Sequence, residues 1–167
     1  QDTPNLGLEV VPLVVFEVVE DREPRQRHTR LATNLERGVE SGEITMDEVF
    51  DRRYRLIEGT NPEQFDTHFC DFADKYVRPI LDRVKSNDDR LIGSAITDIN
   101  GYLPTHISER SQPQSPDPEW NAKYCRNRRN FIDDVTRRAI ASEKEAMLAT
   151  YGMDLGQGRY LPVKNVF

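Results

Sequence analysis

The chain is poor in the residues that staple or anchor a protein. Two cysteines, Cys70 and Cys125, occur in 167 residues. They are too few and too far apart for a disulfide framework or a Cys-x-x-Cys metal pair, so two reduced thiols are expected, with a slight lean to a cytoplasmic location. No run approaches the ~18 apolar residues of a membrane span. The β-branched stretch Leu8–Val19 is broken by Pro12 and Glu17. Glycine-rich phosphate loops and the Gly-x-Ser-x-Gly elbow are missing. So are His-Glu-x-x-His and Cys-x-x-Cys-His, which removes the usual signatures of a zinc protease and of attached haem. Acids are many, but no pair stands out as a poised general acid and base. The sequence reads as a non-enzyme.

Positive charge is scarce as well. Against 29 acidic residues stand 23 Lys and Arg, a net charge of −6. Nucleic acid is therefore not the expected partner, since phosphate binding needs a basic face. One local exception exists at Arg126, Arg128 and Arg129, followed by Arg137 and Arg138. A basic cluster in an acidic chain suits a small anion better than a polymer.

What remains suffices for one domain, or one domain with a helical arm. Such a chain buries about two-thirds of its unfolded surface, although 31% charged residues predict a thin core. Gln1, with no initiator methionine or basic signal region, predicts a processed or excised piece. Residues 1–28 read as a lead-in containing a strand or helical arm, and 29–167 as the domain proper. Leu8–Val19 fits either a strand or a buried helical turn.

Thr29–Glu40 is a helix, with Leu31, Leu35 and Val39 on one face and Gly42 past its end. Thr45-Met46-Asp47-Glu48 is a capping box opening a helix to about Arg52. Thr60-Asn61-Pro62-Glu63 announces a longer one, with Phe65, Phe69, Phe72, Tyr76, Ile80 and Val84 inward and a kink at Pro79. Asp88–Arg90 is a turn, and Leu91–Ile99 a strand running into the turn at Asn100-Gly101. A loop at 104–118 precedes a helix from Asp117 to about Arg129. A further helix starts at Asp134, with strand character by Ala146–Tyr151. Gly156–Gly158 is a turn before a last strand at Arg159–Phe167. Helices first, then strands mixed with helices, predict an α+β fold with an antiparallel sheet and a helical N-terminal arm.

Two constellations carry chemistry. The turn at Asn100-Gly101, rigidified by Pro104, projects Tyr102 and His106. They form either a ligand cradle, with His106 as a switchable donor or acceptor, or a plain hairpin whose histidine satisfies carbonyls. Arg126 and Arg129, three apart on the predicted helix, share a face and could fork onto a carboxylate or phosphate. Alternatively these arginines pair with Asp133, Asp134, Glu143 or Glu145. Trp120 reads as a core anchor or a stacking surface. Cys125 beside arginines is either a thiol of lowered pKa or a small buried filler.

The ordered series Asp98-Ile-Asn-Gly-Tyr-Leu-Pro-Thr-His106, Ser111–Pro113, Trp120-Asn121, Asn127-Arg128 through Asp133 and Tyr151–Gly156 resembles the PAS- and Cache-related sensor domain of bacterial methyl-accepting chemotaxis receptors. The segments at 43–51 and 62–65 match too, so the resemblance spans about 29–167. It implies a PAS-like sheet with flanking helices, dimerisation and an attached chemoreceptor signalling domain, with no direct membrane contact by this piece. A periplasmic sensor on a membrane-anchored receptor is the alternative to the cytoplasm. The ligand-binding residues it implies are Tyr102, His106, Arg126 and Arg129, joined by Asn100, Trp120 and Tyr151. No cofactor is expected, with a noncovalent haem on His106 as the second reading and a helical dimerisation module as the third. The chain departs from the family at Ile107, where a polar residue is usual.

Overall fold

The computed structural model describes residues 13–18, 28–87, 89, 91–142, 147–154 and 160–166. Helix α1 (His28–Glu40) follows the four-residue apolar recurrence. It ends before Gly42, whose φ of +73° is the left-handed conformation that suits a helix terminus. Thr45 then caps α2 (Met46–Val49). Its hydroxyl accepts from the Glu48 N–H at 3.3 Å, while the Glu48 carboxylate accepts the Thr45 N–H at 2.8 Å. The box is the one the sequence predicts, but the helix lasts a single turn and stops short of Arg52.

At Thr60–Glu63 the structure corrects the sequence reading. Instead of a helix start, Arg55–Ile57 (β2) and Gln64–Asp66 (β3) form an antiparallel hairpin. The Thr60 hydroxyl donates to the Ile57 carbonyl at 2.7 Å and accepts from the Gln64 N–H at 2.9 Å. A cap-forming side chain closes a loop here, because the strand partner is already in place. The helix begins at Phe69, as α3 (Phe69–Phe72), one π-helical turn (Ala73–Val77) and α4 (Arg78–Ser86) in succession. Pro79 has no N–H to return to the preceding turn, and the Arg78 N–H reaches back five residues to the Ala73 carbonyl. The proline is absorbed by a wide turn.

The core lies between these helices and the sheet. Phe69, Phe72, Ala73, Val77 and Leu81 pack with Leu35, Ile44, Leu91, Ile96 and Ile107. Each large side chain buried there contributes about 1.5–3 kcal/mol. Gly38 sets how closely α1 approaches, since a Cβ at that position would lie 2.4 Å from the Phe72 ring.

The main sheet is antiparallel, in the order β4 (Leu91–Thr97), β1 (Leu13–Val18), β8 (Tyr160–Val166), β7 (Leu148–Asp154). Part of the expected lead-in is thus a strand, paired on both sides. β4 continues through the turn at Asp98–Gly101 into β5 (Tyr102–Leu103), which pairs with β6 (Arg129–Asn130). The fold is α+β.

Like α2, α5 (Pro118–Tyr124) is shorter than the sequence predicts. It stops because Cys125 bridges to Ser111, the Arg126 N–H donates to the Arg110 carbonyl at 2.8 Å, and Arg128 takes a φ of +59°. α6 (Asp134–Ile140) starts where the sequence predicts, and β7 follows as the strand expected by Ala146–Tyr151. The turn expected at Gly156–Gly158 lies outside the described residues, as do Asp88 and Arg90.

Candidate ligand-binding site

A cavity of about 470 Å³ opens between one face of the sheet and the segment that returns over it. The sheet wall is Ser94, Ala95 and Thr97 of β4, Ala149 and Thr150 of β7, and Asn165 of β8. The opposing wall is Gly101, Leu103, His106, Arg126, Phe131–Asp133 and, from α6, Val135 and Thr136. Gly101 makes the wall buildable. Its φ is +77°, and a Cβ there would meet the Ile132 Cβ at 2.8 Å and Cα at 2.9 Å. The Phe131 N–H donates to its carbonyl at 2.9 Å. The turn and the 131–133 strap are thereby pressed together.

His106 is buried, and Ala95 bridges to it from β4. Its Nδ1 accepts the Ile107 N–H at 2.8 Å, so in the neutral ring the proton sits on Nε2. Burial, then the guanidiniums of Arg126, Arg110 and Arg78, pull its pKa down to about 3. The histidine is a fixed N–H donor near neutrality, which corrects the switchable role the sequence suggests. The same tautomer leaves Nε2 without a lone pair for iron, so the geometry gives haem ligation no support.

Arg126 lines the cavity, and its guanidinium lies 4.8 Å from the centre of the Phe131 ring. Arg129 lies over the same ring at 4.7 Å, but it does not line the cavity. Burial, and then Arg126, lower its pKa. The two arginines meet on an aromatic ring, rather than on a shared helical face. Arg128 is elsewhere: its guanidinium bonds to Asp66 (2.9 Å), Asp71 (3.2 Å) and Asp74 (3.3 Å), and it locks β6 to β3 and the central helix. Of the acids expected to pair with the cluster, Asp134 binds Arg137 at 3.3 Å.

Tyr102, Asn100 and Trp120 are not brought to the cavity. Tyr102 is buried with its hydroxyl donated to the Phe65 carbonyl at 2.7 Å and 3.1 Å from the Cys70 sulfur. Burial pushes its pKa far upward. It clamps β5 onto β3 and does not wall the cavity. Asn100 is exposed in the turn and donates its side-chain amide to the Tyr54 hydroxyl at 2.8 Å. Trp120 is exposed on α5, 5.1 Å from the Tyr124 ring, and so is not a core anchor. Tyr151 pairs through its backbone with Val163, and its side chain lies outside the described residues. Cys70 and Cys125 are both buried, and burial raises both thiols, against the activated reading of Cys125.

Sequence reasoning missed three groups. Thr97 and Asn165 line the cavity but belong to strands with no local polar signature. Asp51 lies outside it, with a side chain only 1% exposed. Burial acts to raise its pKa, but hydrogen bonds from the His68 N–H (3.0 Å), from Arg53 Nε and N–H (3.0 Å each) and from the His68 ring (2.7 Å) hold it well below the usual range. The adjacent Arg52-Arg53 pair was the available signal.

Among the described residues, no three His, Cys, Asp or Glu side chains are grouped to hold a metal ion, and no helix is long and apolar enough to cross a membrane. Comparison with protein families, with curated proteins and with solved structures finds no match to this chain.

Proposed function

We propose that this chain is a non-enzymatic sensory domain that binds a small organic anion in the cavity and passes a conformational change to an attached signalling module. One observation carries the reading. A buried neutral histidine and Arg126 sit on the same wall of a cavity whose remaining lining mixes apolar side chains with serine, threonine, Asn165 and one carboxylate, Asp133. An anion entering there meets a guanidinium and an N–H donor in a low-dielectric space, where charge-assisted hydrogen bonds are strongest. The cavity also falls within the size range of small-molecule pockets, ~300–1,000 Å³.

Two of the residues implied by the resemblance to chemotaxis-receptor sensor domains, His106 and Arg126, line this cavity. The antiparallel β4-β1-β8-β7 sheet with helices packed against it is compatible with a PAS-like arrangement. The cavity joins three strands to α6, so a ligand held between them would favour one packing of sheet and helix over another. Dimerisation, the signalling partner and a cytoplasmic location belong to the same proposal and rest on the resemblance.

The test is thermal unfolding with a panel of small organic acids. A ligand at a hundredfold its Kd stabilises by about 2.7 kcal/mol, which raises Tm by several degrees. Ala149→Phe fills the cavity from β7 and is expected to abolish the rise. A rise that persists in that variant places binding elsewhere and contradicts the proposal.

A further inference from the structure

We infer that the cavity selects an organic acid that also carries a hydrogen-bond donor, a hydroxy or amino group, and that Asn165 reads that donor. The inference rests on the anion-binding reading above and adds a second point of recognition to it.

The two walls differ in kind. On the returning segment, His106 offers Nε2–H and Arg126 a guanidinium, both donors. On the sheet wall, Asn165 Oδ1 is buried and has no hydrogen-bond partner among the described residues. Folded proteins rarely keep a buried acceptor without a donor. Two described polar residues of the same wall do not supply one. The Ser94 hydroxyl donates to the Leu81 carbonyl at 3.1 Å, and the Thr97 hydroxyl to the Asp98 carbonyl at 3.1 Å. In the strand register Asn165 lies opposite Ala149 of β7, whose methyl group donates nothing, and Glu17 of β1, whose ionised carboxylate would only accept.

A ligand spanning the cavity therefore meets donors at one end and an acceptor at the other. Its complement is an acid group plus an O–H or N–H. Asp133, on the same wall as His106 and Arg126, adds one negative charge. It lines the cavity, and its pKa is lowered chiefly by the Thr136 N–H, which it accepts at 2.7 Å. A second carboxylate on the ligand would face that charge, so a dicarboxylate fits less well than a hydroxy or amino monoacid.

The experiment is calorimetric titration of the full chain with two matched sets. One is 3-phenylpropanoate, 3-phenyllactate and phenylalanine; the other is 4-methylpentanoate, 2-hydroxy-4-methylpentanoate and leucine. In each set the hydroxy or the amino acid is expected to bind about tenfold tighter than the plain acid, the worth of one hydrogen bond. Which of the two wins identifies the donor. Asn165→Leu is expected to erase the preference, so that plain, hydroxy and amino acids bind alike. Asn165→Asp, which keeps an acceptor, is expected to retain it. Plain acids that bind wild-type protein as tightly as their hydroxy and amino partners overturn the role of Asn165 and leave the anion site standing. Silence of both sets overturns the anion site and this inference together. The wild-type comparison decides the matter even if Asn165→Leu fails to fold.

Discussion

His106 is held neutral by its surroundings, and that has a sign that can be checked. Its folded pKa of about 3 lies below the ~6.5 of an unfolded histidine. The unfolded chain therefore takes up a proton first as pH falls. The stability that His106 contributes is complete above about pH 6.5 and is lost as pH drops toward 3, at up to ~1.4 kcal/mol per pH unit. Denaturant unfolding of wild type and His106→Gln across pH 7 to 4 is expected to differ by this slope. Side-chain NMR is expected to show the His106 ring unchanged from pH 8 to 5. Tyr102 gives the opposite kind of prediction. Tyr102→Phe removes the bond to the Phe65 carbonyl, so it is expected to cost about 1–2 kcal/mol in unfolding and to leave ligand affinity unchanged. Both residues are visible in the motif, yet only His106 reaches the cavity. The sequence shows which side chains a turn projects; it does not show that one strand residue clamps a neighbouring hairpin while another, four residues on, faces a hollow.

Among the elements, local signals were legible where their partners are local. The Thr45–Glu48 box closes over four residues and forms as predicted; Thr45→Ala is expected to cost about 1 kcal/mol in unfolding free energy. Thr60 carries a similar signal but is captured by β2–β3, a pairing no window of that size can reveal. The early end of α5 has the same cause: Cys125 and Arg126 are claimed by Ser111 and Arg110 across the loop. Gly101 is the element-scale test. Positive φ and the Ile132 backbone both resist a Cβ. Gly101→Ala is expected to cost about 2–3 kcal/mol by chemical denaturation. It is also expected to weaken ligand binding, since Ile132 must move and Ile132 walls the cavity.

Across the whole molecule, a mixture of helices and antiparallel sheet could be read from pattern, because apolar periods of four and of two residues report which face is buried, but the helices-first order could not, since β1 precedes α1 and lies inside the sheet. The cavity could not. Its lining comes from β4, β7, β8, α6 and the returning segment that includes Leu103, His106, Arg126 and the strap after β6, brought together by strand order and by the β5–β6 pairing. Asn165 and Ala149 lie sixteen residues apart in sequence and become neighbours only through the β7–β8 register. This explains why a motif-based list reached His106 and Arg126 but omitted the sheet wall. It also explains why Trp120, conspicuous as the one tryptophan, proves to be a surface residue.

The central claim is that a small organic anion binds between His106 and Arg126 on one side and the sheet on the other. The most direct measurement is a side-chain NMR titration of labelled protein with 3-phenyllactate. The account predicts saturable shifts at the His106 ring, the Arg126 Nε–H and the methyls of Thr97 and Ala149, with the Trp120 indole N–H unmoved. Shifts confined to Trp120 and its neighbours on α5, or none at any of these groups, would contradict it.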